Sequence, residues 1–368
     1  MRIGKFLQKY FKKIFQKIFI LFYGKLKNYN KLNKYNFKVT KIETISLKNN
    51  KYNLNNHIYE IPNARIYTDT VEHVAIIKDN TVIPKISYQQ IAGELKEEQF
   101  NKVYFTGTPR LIKNINGTML SLVQGASGNN YFHFLFDVIT KLHLCKQKIS
   151  LDKINFFYVP GEFLWQKKIF ALFDIEEKKL INSEIHRHIR VENLIAVDHP
   201  WYQKGFIQNE IAFLPEWIIF WLREKFLHLA KKFECSERVY IDRSESTFNH
   251  CKLINNNEII ENLKNFNFKS YQVGKLDFFE QIYLFNNAKI IIGPHGAAFS
   301  NIVFSNPSLK LIEIIPSDHP SKKCERICNI LKINYTRLKT PRIVDGKNLL
   351  GDMEVSPKKI NDLLNRLI

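Results

Sequence analysis

A chain of 368 residues is too long for one typical hydrophobic core, and its 45% hydrophobic content argues against a disordered protein. Its 55 basic and 35 acidic residues give a formal net charge of +20. That charge favours an anionic partner such as a sugar nucleotide, an anionic lipid or a nucleic acid. The five cysteines form no CxxC pair, and apart from Cys324 and Cys328, which are four residues apart, they are widely spaced. They argue against a disulfide framework or a structural zinc site and fit a reducing compartment.

The first predicted element is a basic amphipathic helix, which we place with its linker at residues 1–35. Residues 1–31 carry lysines and one arginine but no acidic residue, and their apolar residues recur at three- and four-residue spacing. The longest uninterrupted apolar run there, 18–23, is far shorter than the roughly 18–20 residues that a membrane span needs. The pattern is typical of a helix that lies on an anionic membrane surface. The alternative is an ordinary helix whose apolar stripe packs on the body. We expect a cytoplasmic protein, peripheral at the inner face of the cell membrane.

Residues 36–232 are predicted to form an acceptor-side α/β domain, because short apolar runs alternate there with polar turns. The expected strands lie at 74–77, 154–159 and 194–197, and the expected helices at 131–146 and 215–231. The charged segment 231–237 precedes a clear strand, so we place the domain boundary there.

Residues 233–345 are predicted to form a second α/β domain, followed by a C-terminal helix at 346–368. Its strands and helices alternate at the spacing of a parallel, doubly wound sheet. The expected strands lie at 238–241, 269–273, 289–292 and 309–314, and the expected helices at 258–266, 277–285 and 297–304. Asp277 is predicted to cap its helix, with Glu280 as the capping-box partner.

The loop Gly293-Pro294-His295-Gly296 lies between a buried strand and a helix that begins at Ala297. In an open α/β sheet, ligands bind at the carboxyl ends of the strands. The glycines allow a sharp turn and a close approach to the ligand, and the helix offers backbone N–H groups to a diphosphate. His295 adds a side-chain donor. The loop therefore predicts a nucleotide site, with a plain strand-to-helix turn as the alternative.

A second pattern, residues 128–137, places His133 and Asp137 four residues apart among aromatic neighbours. On a helix the two side chains share a face. A carboxylate beside an imidazole fixes its tautomer and increases its basicity, which a base that deprotonates a sugar hydroxyl needs. The alternatives are a surface ion pair, a buried structural pair, or a metal site that lacks a visible third ligand.

Several segments in matching order resemble glycosyltransferase family 61, over roughly residues 120–316. They are Gly293 to Ala298, 304–307, Leu311-Ile312-Glu313, 240–244, Glu280-Gln281 and 130–137. The chain departs from the family pattern between Cys251 and Asn256, where Lys252 stands near the position of an arginine and Asn256 replaces a glutamate. Lys252 could contact a phosphate, although it lacks the planar fork of arginine. Thr140 and Lys141 stand where the family often has proline and arginine.

The resemblance implies an inverting glycosyltransferase with a GT-B-like fold, in which two Rossmann-type domains face a cleft. Such an enzyme transfers a sugar from a nucleotide-sugar, here expected to be a UDP-sugar, to a glycan or lipid-linked glycan in surface or capsular polysaccharide synthesis. His133 is the predicted base, and Asp137 orients it. No Asp-x-Asp motif occurs, so we expect no metal and no other cofactor.

The donor site is expected to use positive side chains and backbone N–H groups in place of a metal. Arg243 and His295, with the N–H groups near Gly296 and Ala297, are predicted to stabilise the diphosphate, and Glu313 to accept hydrogen bonds from ribose hydroxyls. Gly293 and Pro294 complete the predicted donor loop.

Two other interpretations stay open. A catalytically silent glycan- or nucleotide-binding protein could use the same fold, because a fold does not guarantee chemistry. A nucleic-acid-binding protein has only charge in its favour. Outside residues 1–35 the lysines are scattered and are not clustered with stacking aromatics, so we expect no nucleic-acid partner.

Overall fold

The structure is a computed structural model and describes residues 2–28, 36–42, 56–68, 73–87, 89–91, 93–96, 98–123, 128, 130–202, 205–246, 251–343 and 351–368. Contacts along the backbone divide the chain into two compact units, Met1–Ile207 and Gln208–Ile368.

The helices and strands of the first unit are short, apart from one long helix and two long strands. In chain order they are α1 Arg2–Tyr23, β1 Lys27–Asn28, β2 Lys38–Ile42, β3 Asn56–Thr68, β4 Val74–Lys78, β5 Thr81–Val82, β6 Gln89–Ile91, β7 Glu94–Lys96, α2 Val103–Thr106, β8 Lys113–Ser121, α3 Tyr131–His133, α4 Ile139–Lys146, β9 Phe156–Val159, α5 Leu164–Ala171, β10 Leu180–Asn182, β11 His188–Val197, β12 Gly205–Phe206 and α6 Ile207–Glu210, which crosses into the second unit. A π-helical turn, Phe134–Val138, joins α3 to α4, and 3₁₀ turns lie at Pro84–Ile86, Glu98–Phe100, Leu151–Lys153 and Glu177–Lys179.

The main sheet of the first unit is half antiparallel and half parallel. Its strand order is β1-β5-β4-β3-β11-β8-β9-β10, with β2 also paired to β3. Strands β2, β4 and β11 run antiparallel to β3, whereas β11, β8, β9 and β10 run parallel to one another. The carboxyl ends of β8 and β11 therefore meet at one edge of the sheet. A separate small sheet contains β6, β7 and β12.

The second unit is built on a parallel sheet. In chain order its helices and strands are α7 Glu216–Phe226, β13 Arg238–Ile241, α8 Asn256–Lys264, β14 Lys269–Tyr271, α9 Phe278–Asn287, β15 Ile290–Pro294, β16 Lys310–Pro316, α10 Lys323–Leu331, β17 Asn334–Thr340 and α11 Pro357–Leu367. 3₁₀ turns lie at Ile211–Phe213, Leu227–Leu229, Val273–Lys275 and Ala297–Phe304.

The parallel sheet has the order β14-β13-β15-β16-β17 among the described residues. The chain starts in β13, adds β14 on one side and then continues through β15 on the other. The strand order therefore reverses between β13 and β15, and such a switch point opens a crevice at the carboxyl ends of the two strands. The side chains of β15 are buried along its whole length, as the uninterrupted apolar sequence predicts.

The α/β class is confirmed, and so is the capping box of α9. The backbone N–H of Glu280 donates to Asp277 Oδ1 (2.8 Å), and the N–H of Asp277 donates to Glu280 Oε2 (3.1 Å). Residues 297–304 form a 3₁₀ helix instead of an ordinary helix. The antiparallel half of the first sheet was not predicted.

The division between the units differs from the predicted boundary at 232/233, because α7 belongs to the second unit. Arg223 on α7 explains this placement: its Nη1 donates to the carbonyl oxygens of Val303 (2.7 Å) and Ser305 (2.8 Å). In the predicted C-terminal segment, Ile360 and Leu364 of α11 are buried in the core of the second unit. The beginning of that segment, 346–350, lies outside the described residues.

Helix α1 packs on the first unit through its C-terminal turns. Ile20 contacts Gly107, which follows α2, and the ring of Tyr23 meets the ring of His188 edge-on at 5.2 Å. Among the described side chains of α1, seven large apolar ones are exposed; they are Tyr10, Phe11, Ile14, Phe15, Ile18, Leu21 and Phe22. Within the described ranges, no helix has the length and apolar character to cross a membrane.

Candidate active site

The first cluster of polar side chains lies at the carboxyl edge of β8 and β11. After β8 the chain enters the helical stretch 131–146, and Asn130 caps it by accepting the backbone N–H groups of Phe132 (3.1 Å) and His133 (3.3 Å). The stretch widens into the π turn between α3 and α4, a feature common at functional sites. His133 Nδ1 lies 2.7 Å from Asp137 Oδ2, and both residues are buried. The predicted pairing of His133 and Asp137 is confirmed.

The segment after β11 supplies two more partners of the Asp137 carboxylate. Trp201 Nε1 donates to Asp137 Oδ1 (2.7 Å), and His199 Nε2 lies 3.7 Å from Asp137 Oδ2. His199 Nδ1 in turn accepts the backbone N–H groups of Trp201 (3.2 Å) and Tyr202 (2.7 Å). Sequence analysis missed His199 and Trp201. They follow a predicted strand, so the rule that ligands bind at the carboxyl ends of strands could have found them.

The surroundings of Asp137 keep its carboxyl group ionised. Burial alone would raise the pKa of Asp137, but His133 and His199 hold that pKa well below its usual range. An ionised Asp137 makes the neighbouring His133 Nδ1 the protonated nitrogen of a neutral ring. The lone pair of His133 is then on Nε2, and this nitrogen can accept a proton.

Lys141 lies one helical turn beyond Asp137 and is also buried, and its Nζ donates to the Val123 carbonyl oxygen (3.4 Å). Burial lowers the pKa of Lys141 to about 7, against the opposing charges of Asp137 and Asp198. Asp198 accepts a hydrogen bond from the hydroxyl of Tyr59 (2.9 Å) and pairs with His57 Nδ1 (2.9 Å). Sequence analysis did not assign these charges to the site.

The second cluster lies at the switch point of the parallel sheet. Arg243 follows β13, and its Nη1 donates to the carbonyl oxygen of His295, directly after β15. Lys323 Nζ donates to the carbonyl oxygen of Gly296 (2.8 Å). Gly296 is fully extended (φ 174°, ψ −179°), so the N–H of Ala297 points to the same side as the His295 carbonyl, which is the side of Arg243. The cluster therefore directs a guanidinium and a backbone N–H to one side of the loop, as an anion site requires.

Glu313 on β16 is the hydrogen-bond partner of the His295 ring. His295 Nδ1 pairs with Glu313 Oε1, which also accepts the thiol of Cys324 (3.0 Å), and the hydroxyl of Tyr335 donates to Glu313 Oε2. Burial alone would raise the pKa of Glu313, but His295 and these hydrogen bonds hold the pKa well below its usual range. With both carboxylate oxygens engaged and 1% of its surface exposed, Glu313 is placed to orient His295. Its predicted contact with ribose stays a prediction.

His295, Glu313 and Cys324 also form a group with potential metal-ligand atoms within 4.8 Å of one another. The chemistry of the group opposes a cation. Burial raises the pKa of the Cys324 thiol well above its usual value, and Glu313 raises it further. The Lys323 ammonium and the Arg243 guanidinium add positive charge beside His295. The group is therefore better described as a hydrogen-bonded network than as a metal site.

The remaining predicted residues also lie in the second unit. Gly293 lies so close to β13 that a Cβ added to it would be 2.7 Å from the Cβ of Ile241, and Pro294 ends β15 as a buried residue. Lys252 has an exposed side chain, and its role as a phosphate contact stays a prediction. Asn256 accepts from the Tyr240 hydroxyl (2.5 Å) and donates to Asp242 (3.1 Å). Lys323, Cys324 and Tyr335 carry no local motif that predicts their place in the network.

The family model described as Glycosyltransferase 61 matches residues 131–312. This match begins at the helix that carries His133 and Asp137 and includes Arg243 and the loop from Gly293 to Ala297. No curated protein matches the chain at a significant level.

Proposed function

Because this chain belongs to glycosyltransferase family 61, we propose that it is an inverting enzyme that transfers a sugar from a UDP-sugar to a glycan or lipid-linked glycan in surface or capsular polysaccharide synthesis. The observation that carries this proposal is the buried pair of His133 and Asp137, whose 2.7 Å contact leaves Nε2 of His133 as the proton-accepting atom. A transferase needs such a base because a sugar hydroxyl is a poor nucleophile until its proton is removed.

The proposed reaction is a single displacement at the anomeric carbon. His133 Nε2 takes the hydroxyl proton of the acceptor while the acceptor oxygen bonds to the anomeric carbon. The bond from that carbon to the diphosphate breaks, and its electron pair leaves with the nucleotide. Asp137 stays ionised and stabilises the imidazolium that forms. Configuration inverts because the acceptor attacks from the face opposite the leaving group.

The proposed donor site is the switch-point cluster of the second unit. Arg243 and the N–H of Ala297 would bind the diphosphate, and a protonated His295 would donate from Nε2. The hydrogen bond from Lys323 to Gly296 holds the loop in place. Positive groups would perform the charge stabilisation, so the proposal requires no metal and no other cofactor. The GT-B-like arrangement and the contact of Lys252 with a phosphate stay predictions from the resemblance.

The donor assignment is tested by thermal shift and calorimetric titration with UDP. Arg243→Ala and His295→Ala should each raise the Kd for UDP about tenfold or more, because a hydrogen bond to a charged group contributes roughly 1.5–3 kcal/mol. Arg366→Ala is the control, since Arg366 lies on the exposed surface of α11 and should leave the Kd unchanged. Wild-type UDP affinity in both site variants would remove the assignment.

The base assignment is tested by UDP release from a UDP-sugar, with or without an acceptor. His133→Ala should lower turnover by about 10²–10⁴-fold while UDP binding stays intact. Asp137→Asn should cost less, because it disturbs tautomer and orientation without removing the base. A larger loss in Asp137→Asn would make Asp137 the base. Near wild-type turnover in both would make the pair structural and place the base elsewhere. No UDP release by the wild-type protein would favour the alternative, a catalytically silent glycan- or nucleotide-binding protein.

We also propose that α1 holds the enzyme on the anionic inner face of the cell membrane. The half-buried positions of its C-terminal half, Gln16, Phe19, Ile20 and Tyr23, share one helix face. At about 100° per residue, the exposed apolar residues from Tyr10 to Phe22 occupy an arc of roughly 140° on the opposite side. Exposure of this stripe argues against the alternative that the stripe packs on the body. Lys13 and Lys17 lie on one side of the arc and are exposed, which suits anionic headgroups.

The membrane proposal is tested by sedimentation of the full chain with vesicles that contain phosphatidylserine. Binding should be strong at low salt and should weaken at high salt, because salt screens the contribution of the lysines. Phe15→Ser should weaken it about tenfold, since the side chain leaves the acyl boundary. Ile185→Ser is the matched control, because Ile185 is 69% exposed elsewhere on the same unit. No sedimentation of the full chain with these vesicles at low salt would contradict the proposal.

A further inference from the structure

On the premise that His133 is the base, we infer that Trp201 and His199 are positioning residues, which fix the Asp137 carboxylate behind it. No pattern near His133 in the sequence points to these two side chains. They reach Asp137 because β8 and β11 are parallel neighbours in the first sheet. The helical stretch that follows β8 therefore lies next to the segment that follows β11.

Trp201 fixes one oxygen of the carboxylate. Its indole N–H donates to Asp137 Oδ1 at 2.7 Å, and the residue is 4% exposed. The ring is held by an edge-to-face contact with Phe132 (6.3 Å). An indole N–H is a donor only and carries no charge. It can therefore restrain the carboxylate without cancelling the negative charge that His133 needs.

His199 stands behind the other oxygen in a single tautomer. Its Nδ1 accepts two backbone N–H groups, those of Trp201 and Tyr202, so this nitrogen holds a lone pair and no proton. The ring proton is then on Nε2, which lies 3.7 Å from Asp137 Oδ2. Burial lowers the pKa of His199, which keeps the ring neutral. His199 therefore faces Asp137 with a neutral N–H.

These contacts leave Asp137 little freedom to rotate. Oδ1 is held by Trp201, and Oδ2 lies between His133 and His199. The orientation of Oδ2 fixes the proton of His133 on Nδ1, which leaves Nε2 for the acceptor proton. The titratable groups that face Asp137 are His133, His199 and Lys141. Loss of the Trp201 donor should therefore alter both turnover and its pH dependence.

The first experiment compares Trp201→Phe with Trp165→Phe. Trp165 packs on the same helical stretch through Phe134 (4.9 Å between ring centres). Trp165→Phe is the matched control, because it also replaces an indole by a phenyl ring. Trp201→Phe should lower kcat for UDP release about 10–100-fold with an unchanged KM for the UDP-sugar, as expected for a hydrogen bond to a charged group. The acid side of its pH–activity profile should also move, because loss of the N–H changes the orientation and hydrogen bonding of the carboxylate that faces His133.

The second variant, His199→Asn, distinguishes the roles of the two ring nitrogens of His199. An asparagine oxygen can still accept the N–H groups of Trp201 and Tyr202, but nothing replaces Nε2 opposite Asp137. We expect a smaller loss of kcat than in Trp201→Phe, because 3.7 Å is longer than a hydrogen bond. Wild-type kcat and an unchanged pH profile in both variants would overturn the inference. A loss of kcat with an unmoved pH profile would also overturn it, since it would indicate packing alone.

A measurement without turnover separates this inference from the proposed function. In protein labelled with ¹⁵N-tryptophan, the Trp201 indole N–H should resonate downfield, disappear in Trp201→Phe and move in Asp137→Asn, while the Trp165 signal stays in place. An unchanged chemical shift of the Trp201 indole N–H in Asp137→Asn would overturn the inference, whether or not the enzyme is active. A chain that neither binds UDP nor releases it from UDP-sugars would instead remove the proposed function, even if the indole contact were present.

Discussion

Gly296 is the position where the absence of a side chain matters most for donor binding. A Cβ at Gly296 would lie 2.6 Å from Cζ and Nε of Arg243, whereas unbonded carbon atoms stay at about 3.5–4 Å. The extended backbone of Gly296 (φ 174°, ψ −179°) suits alanine equally well. Gly296→Ala should therefore act through the guanidinium, which must move by about 1 Å and lose its contact with the His295 carbonyl.

The expected magnitude follows from that displacement. If Arg243 binds the diphosphate, its hydrogen bonds to charged oxygens contribute roughly 1.5–3 kcal/mol, so Gly296→Ala should raise the Kd for UDP by about 10–150-fold. Gly293→Ala is the comparison, because its Cβ would meet the Ile241 carbonyl oxygen at 3.0 Å and force β13 and β15 apart. That change should cost about 1–3 kcal/mol of unfolding free energy and lower the Tm by several degrees.

Calorimetric titration with UDP and thermal unfolding separate the two glycines. Gly296→Ala should keep the wild-type Tm and lose affinity, whereas Gly293→Ala should lose stability first. In the Arg243→Ala background, Gly296→Ala should have no further effect on the Kd, because both changes remove the same contact. Wild-type affinity in Gly296→Ala, or a full additional loss in the double variant, would refute the reasoning.

Two further predictions follow from buried groups. Glu313→Gln should weaken UDP binding, because His295 is no longer oriented, and should leave uridine binding unchanged; separate titrations with the two ligands measure this. Equal losses of affinity for both ligands would favour the ribose contact that the sequence predicted. Burial lowers the pKa of His188 to about 4, and Arg65 and Arg190 act in the same direction. Between about pH 6.5 and pH 4, His188 therefore binds a proton in the unfolded chain but stays neutral in the folded chain. Stability should therefore fall as the pH drops from 6.5 to 4, by at most about 3 kcal/mol, and denaturant unfolding of His188→Asn should show a weaker pH dependence; an identical slope in both proteins would contradict this.

The features that the sequence predicted correctly depend on short-range geometry. The pairing of His133 with Asp137 needs only a helical stretch, and the capping box of Asp277 and Glu280 needs only three residues of spacing. Four strands of the second unit, β13 to β16, were predicted because each is a short run between helices, whereas the polar sequence of β17 gave no such signal. Their parallel order then places Arg243 beside the His295 loop without any local signal.

The features that the sequence did not predict depend on long-range packing. Trp201 reaches Asp137 from 64 positions away, and Tyr335 reaches Glu313 through a neighbouring strand. Gly293 and Gly296 were expected to allow a sharp turn and a close approach to a ligand. Gly296 is extended instead, and the groups that lie close to the two glycines belong to the protein itself, to Ile241 and Arg243. Close approach depends on what lies opposite a glycine, and that is a property of the fold.

The two histidines of the candidate sites share one arrangement, an Nδ1 paired with a buried carboxylate, but they differ in their neighbours. Around His295, the cations Arg243 and Lys323 oppose a positive ring. A proton taken from an acceptor hydroxyl would make that ring positive, so these cations make His295 a poor base. His133 instead faces a carboxylate that is restrained by neutral donors, and this difference makes His133 the better candidate for the base.

The same reasoning predicts that UDP binding is coupled to proton uptake at His295. Burial lowers the pKa of His295, and Lys323 and Arg243 lower it further against Glu313, so its ring is neutral in the free protein at pH 7. With Nδ1 facing Glu313, His295 can donate to a diphosphate only after Nε2 gains a proton, which the anion itself would stabilise. Titration calorimetry at pH 7.5 in buffers of different ionisation enthalpy should detect uptake of a fraction of a proton, and the affinity should rise as the pH falls. His295→Gln should bind UDP more weakly and lose this uptake, while UDP's own ionisation stays common to both proteins. Equal proton uptake in the two proteins would mean that His295 does not donate to the diphosphate.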